Sequence, residues 1–296
     1  MPSKGAVGVY VGGINASGDA SGFYYTDAKY AHAYGFIRQA DGTIAQIDVP
    51  NSKHHHTYAG PIDGEDDVTG YYESSDKGVV EHGFLSAPDG TITTFDGPGA
   101  YETLPNDINA RVIVGSYYTY DANHAFMRSA DGTITTIDYP GASATYAYSL
   151  NSSGRIAGVF DDDVGRHGFV RQTDGSFSVI DPPQSVYTDN LEINDKGEVT
   201  GIYENGSNMK YSGFLLKGGK FYTFARYFGR MNSRNQSVGQ TFLLTFTNGQ
   251  FSPKPIKTPR GCSNLFLSGI NDSSIVAGAM ECPRGKAGWY GYLLQE

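Results

Sequence analysis

One signature recurs seven times along this 296-residue chain, and it restricts the fold more than any other feature of the sequence. In its most complete form it reads Ile-Asn-x-x-Gly-x-Val-x-Gly-x-Tyr, and successive copies begin about 43 residues apart. Its Asn or Asp position is occupied by Asn15, Asp63, Asn109, Asn151, Asn194, Asn232 and Asn271. Periods of roughly 20–50 residues are typical of solenoids and propellers, so the fold is predicted to repeat one small unit.

Each repeat predicts four short strands, called A to D in chain order. Strand A leads into the Ile-Asn pair, strand B carries Val-x-Gly-x-Tyr, strand C carries Gly-Phe and strand D carries Thr-Ile-x-x-Ile. Asp-Gly pairs separate strands C and D at 41–42, 89–90, 131–132 and 174–175, and this dipeptide between apolar runs indicates a hairpin. The sequence therefore predicts an all-β protein, a seven-bladed β-propeller of four-stranded antiparallel blades.

The whole chain, 1–296, is predicted to be a single propeller domain. Its blades are expected to begin near residues 5, 55, 101, 143, 186, 225 and 263. The C–D motif is eroded in the sixth and seventh repeats, so six or eight blades remain alternatives. The sequence ends after strand C of the last repeat, which predicts a last blade of three strands.

Two cysteines, Cys262 and Cys282, flank the predicted A–B hairpin of the last repeat. Counting outward from the turn at 271–274 places them nearly opposite each other, within reach of a disulfide. A bridge would indicate an oxidising compartment, whereas reduced thiols are the alternative.

Composition excludes several classes of function. The net charge of −9 argues against a nucleic-acid partner, which needs a basic surface. No apolar run approaches the roughly 18 residues of a membrane-spanning helix, and the first residues contain no secretory signal. We therefore expect a monomer with neither a membrane span nor a bound nucleic acid.

Two motifs give the sequence a family resemblance. One comprises His82-Gly83-Phe84-Leu85, His124-Ala125-Phe126-Met127 and His167-Gly168-Phe169-Val170, and the other is the Ile-Asp-x-Pro-Gly-Ala stretch that follows strand D. Together with the Ile-Asn copies, they resemble the HAF-type extracellular repeats of bacteria over nearly the whole chain. The resemblance implies an exported protein, extracellular or periplasmic, and it assigns no catalytic residue.

Comparing the repeats with one another separates residues that serve the blade from residues that could serve a ligand. The His before Gly-Phe recurs and is predicted to be structural, with a hydrogen bond to the next loop. The Asp after strand D also recurs and is predicted to accept backbone N–H groups in the turn before Pro. The Tyr five residues before the Asn also recurs, as in Tyr58 and Tyr146, and is predicted to pack between blades.

The variable B–C and D–A loops share one face, where a propeller opens its central channel. The position seven residues before the Asn, which includes His56, Glu102, Tyr187 and Asn264, is predicted to lie at the mouth. The full set of candidate ligand-binding residues is His56, Tyr101, Glu102, Tyr187, Asp189, Arg226 and Asn264. Aromatic rings stack on the apolar faces of sugars, and polar side chains form hydrogen bonds with sugar hydroxyls. The leading hypothesis is therefore an exported propeller that binds a carbohydrate at this mouth.

Two other functions remain open. In the first, the protein is a lyase or hydrolase in which His54 or His56 acts as a base or metal ligand, and Glu102 or Tyr187 acts as an acid. The sequence contains no nucleophile elbow, P-loop or dinucleotide motif to support this directly. In the second, the protein is a platform for protein interactions.

Two segments of the sequence could bind a metal ion. His54 and His56 alternate along an extended segment and could share a Zn²⁺ ion. Asp161 and Asp163 could contribute to a Ca²⁺ site but lack the spacing of a calcium loop. We expect no cofactor, with a divalent metal such as Zn²⁺ or Ca²⁺ as the alternative.

Overall fold

The computed structural model describes residues 6–27, 29, 31–74, 80–282 and 288–295. In these ranges the chain forms 26 strands and one short 3-10 turn at Lys53–His55, so the predicted all-β class is confirmed. Consecutive strands pair antiparallel in chain order, and each repeat forms one meander, called a unit below. No helix within the described ranges is long and apolar enough to cross a membrane.

The first five units contain four strands each. Unit one has β1 (Gly8–Ile14), β2 (Ala20–Tyr25), β3 (Ala33–Arg38) and β4 (Ile44–Ile47). Unit two has β5 (Thr57–Ile62), β6 (Val68–Glu73), β7 (Glu81–Ser86) and β8 (Ile92–Phe95). Unit three has β9 (Glu102–Asn109), β10 (Val112–Tyr118), β11 (Asn123–Arg128) and β12 (Ile134–Thr136). Unit four has β13 (Ala144–Leu150), β14 (Ile156–Asp161), β15 (Arg166–Arg171) and β16 (Phe177–Val179). Unit five has β17 (Ser185–Ile193), β18 (Val199–Asn205), β19 (Lys210–Lys217) and β20 (Lys220–Phe224).

The last two units contain three strands each within the described residues. Unit six has β21 (Gln236–Val238), β22 (Phe242–Thr247) and β23 (Gln250–Pro255), and unit seven has β24 (Ser263–Ile270), β25 (Ile275–Cys282) and β26 (Gly288–Gln295). Among the described residues, unit seven has no fourth strand. Unit six differs from the predicted four strands because residues 227–232, where strand A was expected, are not a strand. In that segment Phe228 is fully buried, and Arg230 reaches away to a distant unit.

Apolar side chains of neighbouring units pack against one another. Val170 of unit four packs with Leu191 of unit five, and Leu215 of unit five packs with Phe228 and Phe242 of unit six. The phenylalanine of each well-preserved Gly-Phe motif is completely buried, as in Phe84, Phe126, Phe169 and Phe214. The recurring motif therefore supplies the core that joins one sheet to the next.

In five of the seven units, the asparagine of the signature links the A–B turn to the following unit. In unit five, Asn194 Oδ1 accepts the Glu198 N–H at 2.9 Å, and Asn194 Nδ2 donates to the Met231 carbonyl at 3.1 Å. In unit seven, Asn271 Nδ2 donates to the carbonyl of Asn15 in unit one at 2.9 Å. Strand β1 also packs against β24, β25 and β26, so the last unit contacts the first.

In units two to four, the recurring His pairs with the Asp of the following loop, which confirms the structural role predicted for the His. Asp138 and Asp181 accept N–H groups of strand C rather than of the turn before Pro. The Nδ1 atoms of His82, His124 and His167 lie 2.8, 2.6 and 2.7 Å from the carboxylates of Asp96, Asp138 and Asp181. Asp138 also accepts the N–H of Ala125 at 3.0 Å. In unit one, where strand C has no histidine, His55 of the adjacent loop pairs with Asp48 at 2.9 Å.

In unit seven, the Sγ atoms of Cys262 and Cys282 are bonded to each other, and their Cα atoms lie 4.2 Å apart. The bond joins the two arms of the β24–β25 hairpin at the end away from its turn. It lies beside an apolar cluster that includes Leu265 and Met280.

Candidate active site at the mouth of the channel

Three carboxylates stand side by side where units two and three meet, on the face of the B–C and D–A loops. Glu73 ends β6 and lies opposite Glu81, the first residue of β7. Glu81 in turn lies opposite Glu102, the first residue of β9, through the one parallel pair that joins these strands. Because directly opposed residues hold their Cβ atoms about 5 Å apart, the like charges crowd one another.

Crowding and burial change the acidity of the central carboxyl. Burial, together with the negative charges of Glu102 and Glu73, raises the pKa of Glu81 to about 7. Burial, together with the negative charges of Glu81 and Glu73, raises the pKa of the neighbouring Tyr71 phenol to about 12. Near neutral pH, Glu81 can therefore either donate or accept a proton, while Tyr71 remains a neutral hydrogen-bonding group.

A histidine and one of these carboxylates lie close together. His56 Nδ1 is 3.0 Å from Glu73 Oε2, and His56 Nε2 is 3.0 Å from the carbonyl oxygen of Ala31. Because a carbonyl only accepts, Nε2 carries the hydrogen of this contact. The Tyr58 hydroxyl donates to the other oxygen of Glu73 at 3.3 Å.

Aromatic rings surround these polar groups. Tyr58 stacks on Tyr71 with ring centroids 4.9 Å apart, and Tyr118, at the end of β10, lies directly opposite Glu102. We call the group formed by His56, Tyr58, Tyr71, Glu73, Glu81, Glu102 and Tyr118 the mouth pocket. Outside it, Tyr101 packs on Tyr120 at 5.3 Å, and Tyr120 is 89% exposed.

Of the residues predicted from sequence, His56 and Glu102 belong to the mouth pocket and Tyr101 lies beside it. Tyr187 and Asp189 lie instead in a separate cluster in units four and five. There the Tyr187 hydroxyl donates to Asp189 at 2.6 Å, and Arg166 binds Asp189 at 3.2 Å and both oxygens of Asp161 at 2.8 Å. These groups already satisfy one another, which favours a structural role.

The remaining predicted residues are scattered. Arg226 lies over the ring of Phe242 at 5.7 Å, and Asn264 donates to Glu281 at 2.7 Å. The side chain of His54 lies outside the described part of the structure. Asp161 is held by Arg166, whereas Asp163 is exposed. Within the described residues, no group of three or more His, Cys, Asp or Glu side chains is arranged to hold a metal ion.

Glu73 and Glu81 are not among the residues predicted from the sequence, and Tyr58 was predicted only to pack between blades. The position that carries Glu81, one residue before the recurring His, holds Asn123 in unit three and Arg166 in unit four. It is therefore as variable as the position seven residues before the Asn. By the same comparison of repeats, Glu81 is a residue that could serve a ligand.

A central cavity of about 490 Å³ lies between the inner segments of the units. Arg230 of unit six crosses it, and its Nη2 atom bonds the carboxylate of Asp107 in unit three and, at 2.8 Å, the hydroxyl of Ser149 in unit four. Glu192 of unit five accepts the backbone N–H of Arg230 at 2.9 Å and the Tyr227 hydroxyl at 3.2 Å. Burial raises the pKa of Glu192, although Arg230 opposes the shift.

Comparison with known proteins identifies the fold. No family model and no curated protein matches the sequence. Virginiamycin B lyase from Staphylococcus aureus is similar in structure, with 13% identity and a TM-score of 0.60 over 97% of this chain and 94% of that one. The β-propeller domain of the Trilobed protease from Pyrococcus furiosus has 10% identity and a TM-score of 0.62 over 97% of both chains. Puromycin hydrolase has 12% identity and a TM-score of 0.62 over 99% of this chain and 52% of that one.

At sequence identities this low, the structural similarity establishes only the fold, and that fold is a β-propeller. The Pyrococcus domain is described as having an open velcro topology. In the described part of the present chain, β1 pairs within its own unit, and the last unit is built from its own three strands. The first and last units are therefore held by packing and by the Asn271–Asn15 hydrogen bond, without a shared sheet.

Proposed function

We propose that the protein is an acid–base enzyme, a lyase or a hydrolase, whose reaction takes place at the mouth pocket. The observation that carries the proposal is the juxtaposition of Glu81 with Glu102 and of His56 with Glu73 in one half-buried pocket. Such paired groups in different environments are the usual source of an acid and a base that work at the same pH. The structural similarity to a lyase and to a hydrolase is consistent with this class.

The groups of the pocket divide into two roles. Glu81 is the proton donor, because a pKa of about 7 leaves part of it protonated near neutral pH. The His56–Glu73 pair is the base, since a carboxylate oxygen accepts a proton and the imidazole lies 3.0 Å from it. In a lyase the base removes a proton from carbon, and in a hydrolase it removes one from water. In both cases Glu81 protonates the leaving group as its bond breaks.

The expected test is a comparison of Glu81→Gln with Glu65→Gln, an exposed carboxylate on the opposite face. Substrates to screen are virginiamycin B, puromycin, simple lactones and amides, and aryl glycosides, with products followed by mass spectrometry. Removing a general acid is expected to lower turnover about 100-fold or more, and Glu65→Gln is expected to match the wild type. Because Glu81 acts as an acid, wild-type turnover should fall as the pH rises above about 7.

Full activity in Glu81→Gln would contradict the assignment of the acid. So would a pH profile that is the same in the variant and the wild type. Loss of activity in both Glu81→Gln and Glu65→Gln would point to a general effect of removing charge.

We further propose that the seven units form a seven-bladed ring of HAF-type repeats and that the protein is exported, to the periplasm or the cell exterior. The hydrogen bond from the seventh unit to the first supports the ring. The bonded pair Cys262–Cys282 supports export, since disulfides persist in oxidising compartments.

A second candidate function is carbohydrate binding at the same loop face without turnover. The exposed ring of Tyr120, packed on Tyr101, favours it because it forms an aromatic platform at the rim. Binding of a glycan that is lost in Tyr120→Ala, with no product from any compound of the panel, would favour this function over the enzyme.

A further inference from the structure

The central cavity is chemically different from the mouth pocket, and the residues that line it include no member of that pocket. One side of the cavity is lined by glycines, among them Gly12, Gly13 and Gly269, from units one and seven. The opposite side carries the polar side chains of units three to six. At the position two residues before the signature Asn, the repeats hold Gly13, Pro61, Asp107, Ser149, Glu192, Arg230 and Gly269. The cavity therefore exists because three repeats have glycine or proline at a position where the other four have polar side chains.

The charges of the cavity are already paired. Asp107 accepts the Arg230 guanidinium and the backbone N–H of Leu150, and Glu192 accepts bonds from Arg230 and Tyr227. A charged ligand would have to displace one of these contacts in a partly desolvated space, which is costly. The wall thus favours a neutral occupant.

Neutral polar groups, in contrast, are left available. The side-chain amides of Asn190 and Gln240 line the cavity and make no hydrogen bond to the described part of the chain. Asn190 has a left-handed backbone with φ of 52°, at the bulge where β17 loses its regular pairing. Both residues are exposed to the cavity, so each amide can offer a donor and an acceptor to a ligand.

Aromatic surface completes the lining. The rings of Tyr148, Tyr227 and Phe266 border the same space, and Phe266 is 52% exposed although it is a large apolar residue. Rings that pack on C–H faces, together with amides that bind hydroxyls, suit a molecule whose surface alternates between these two kinds of group. The volume of about 490 Å³ lies within the range of roughly 300–1,000 Å³ that is common for small-molecule sites.

We propose that the central cavity binds a neutral sugar of mono- or disaccharide size, held by the amides of Asn190 and Gln240 and by the rings of Tyr227 and Phe266. The site is separate from the proposed acid–base site and does not depend on it. It also differs from glycan binding at the rim, because the ligand lies inside the channel.

The test is calorimetric titration with glucose, galactose, mannose and cellobiose, and with glucuronate and glucosamine as charged comparisons. Asn190→Gly removes the amide and keeps a residue that accepts the left-handed backbone. Gln240→Ala removes the second amide. Each change is expected to weaken neutral-sugar binding about tenfold, the effect of one lost hydrogen bond of about 1.4 kcal/mol.

A filling variant tests the location. A Cβ atom at Gly269 would meet only Ile14 Cγ2, at an ordinary 3.7 Å, so Gly269→Ala is expected to fold and Gly269→Leu to fill the space. Gly269→Leu is expected to abolish binding, while Glu81→Gln and Tyr120→Ala bind as the wild type does.

The proposal would be overturned if no neutral sugar binds, if the charged sugars bind more tightly, or if Asn190→Gly and Gln240→Ala both bind like the wild type. Loss of binding in Tyr120→Ala alone would move the sugar to the rim and would also overturn it. None of these results bears on turnover at the mouth pocket, so the two proposals fail independently.

Discussion

Replacing Gly158 with alanine is expected to destabilise the protein by about 3 kcal/mol or more, or to prevent it from folding. Gly158 lies in β14 opposite the bulge of β13, where the register shifts between Ala147 and Ser149. A Cβ atom there would overlap the carbonyl oxygen of Tyr146 and lie 2.7 Å from Cζ of the buried Phe169. Neither backbone nor ring can move without breaking the pairing of two strands.

The same constraint recurs along the chain and explains why glycine is repeated in the Val-x-Gly signature. A Cβ atom at Gly22, Gly70 or Gly278 would overlap the carbonyl of the opposing strand in the same way. The matched control is Gly64→Ala, in an A–B turn where no atom lies within 4 Å of the added carbon. Urea unfolding of the two variants measures the difference, and the control is expected to stay within about 1 kcal/mol of the wild type. Equal stability of Gly158→Ala and Gly64→Ala would contradict the explanation.

Replacing Arg230 with methionine is expected to cost about 1–3 kcal/mol, because the guanidinium, although 40% exposed, is the counter-charge of carboxylates in the cavity. Arg230 pairs with Asp107 across the channel, and its Nε lies 3.8 Å from Glu192 Oε2. Without the guanidinium, nothing at Arg230 opposes the burial that raises the pKa of Glu192, so the folded variant binds a proton at Glu192 more tightly. The loss measured by urea unfolding should therefore shrink as the pH falls and grow as it rises.

The double variant Arg230→Met with Asp107→Asn is the control for this prediction. It removes a charge from each side, so it is expected to recover part of the stability that Arg230→Met loses. An unchanged stability of Arg230→Met, or a double variant that is no better than the single one, would show that the ion pair does not hold the channel together.

The features that the sequence predicted correctly depend on residues that are close together in the chain and that recur from repeat to repeat. The Asp-Gly pairs form tight turns, with Gly42 at φ of 95°, Gly90 at 85°, Gly132 at 94° and Gly175 at 89°. Their positive φ values are what glycine permits at low cost, so a pattern of four such turns specifies four C–D hairpins.

What the sequence did not predict depends on contacts between distant residues. Unit six lacks its inner strand where Arg230 turns to Asp107, 123 residues away, and no local pattern reveals such a pair. The sequence placed Tyr187 and Asp189 among the candidate ligand-binding residues. It could not show that Arg166, which belongs to the neighbouring unit, already binds Asp189. The position of Glu81 between Glu73 and Glu102 depends on the register of two pairs of strands, which the sequence does not specify.

The most direct test of the proposed acid–base site is a carboxyl titration of Glu81, followed by NMR on ¹³C-labelled protein in the wild type and in Glu102→Gln. The crowded pocket predicts that Glu81 titrates with a pKa of about 7 in the wild type. It also predicts a lower pKa in Glu102→Gln, since one of the two like charges is gone. A wild-type Glu81 that titrates near its ordinary value of 4.5, or a titration that Glu102→Gln leaves unchanged, would contradict the account.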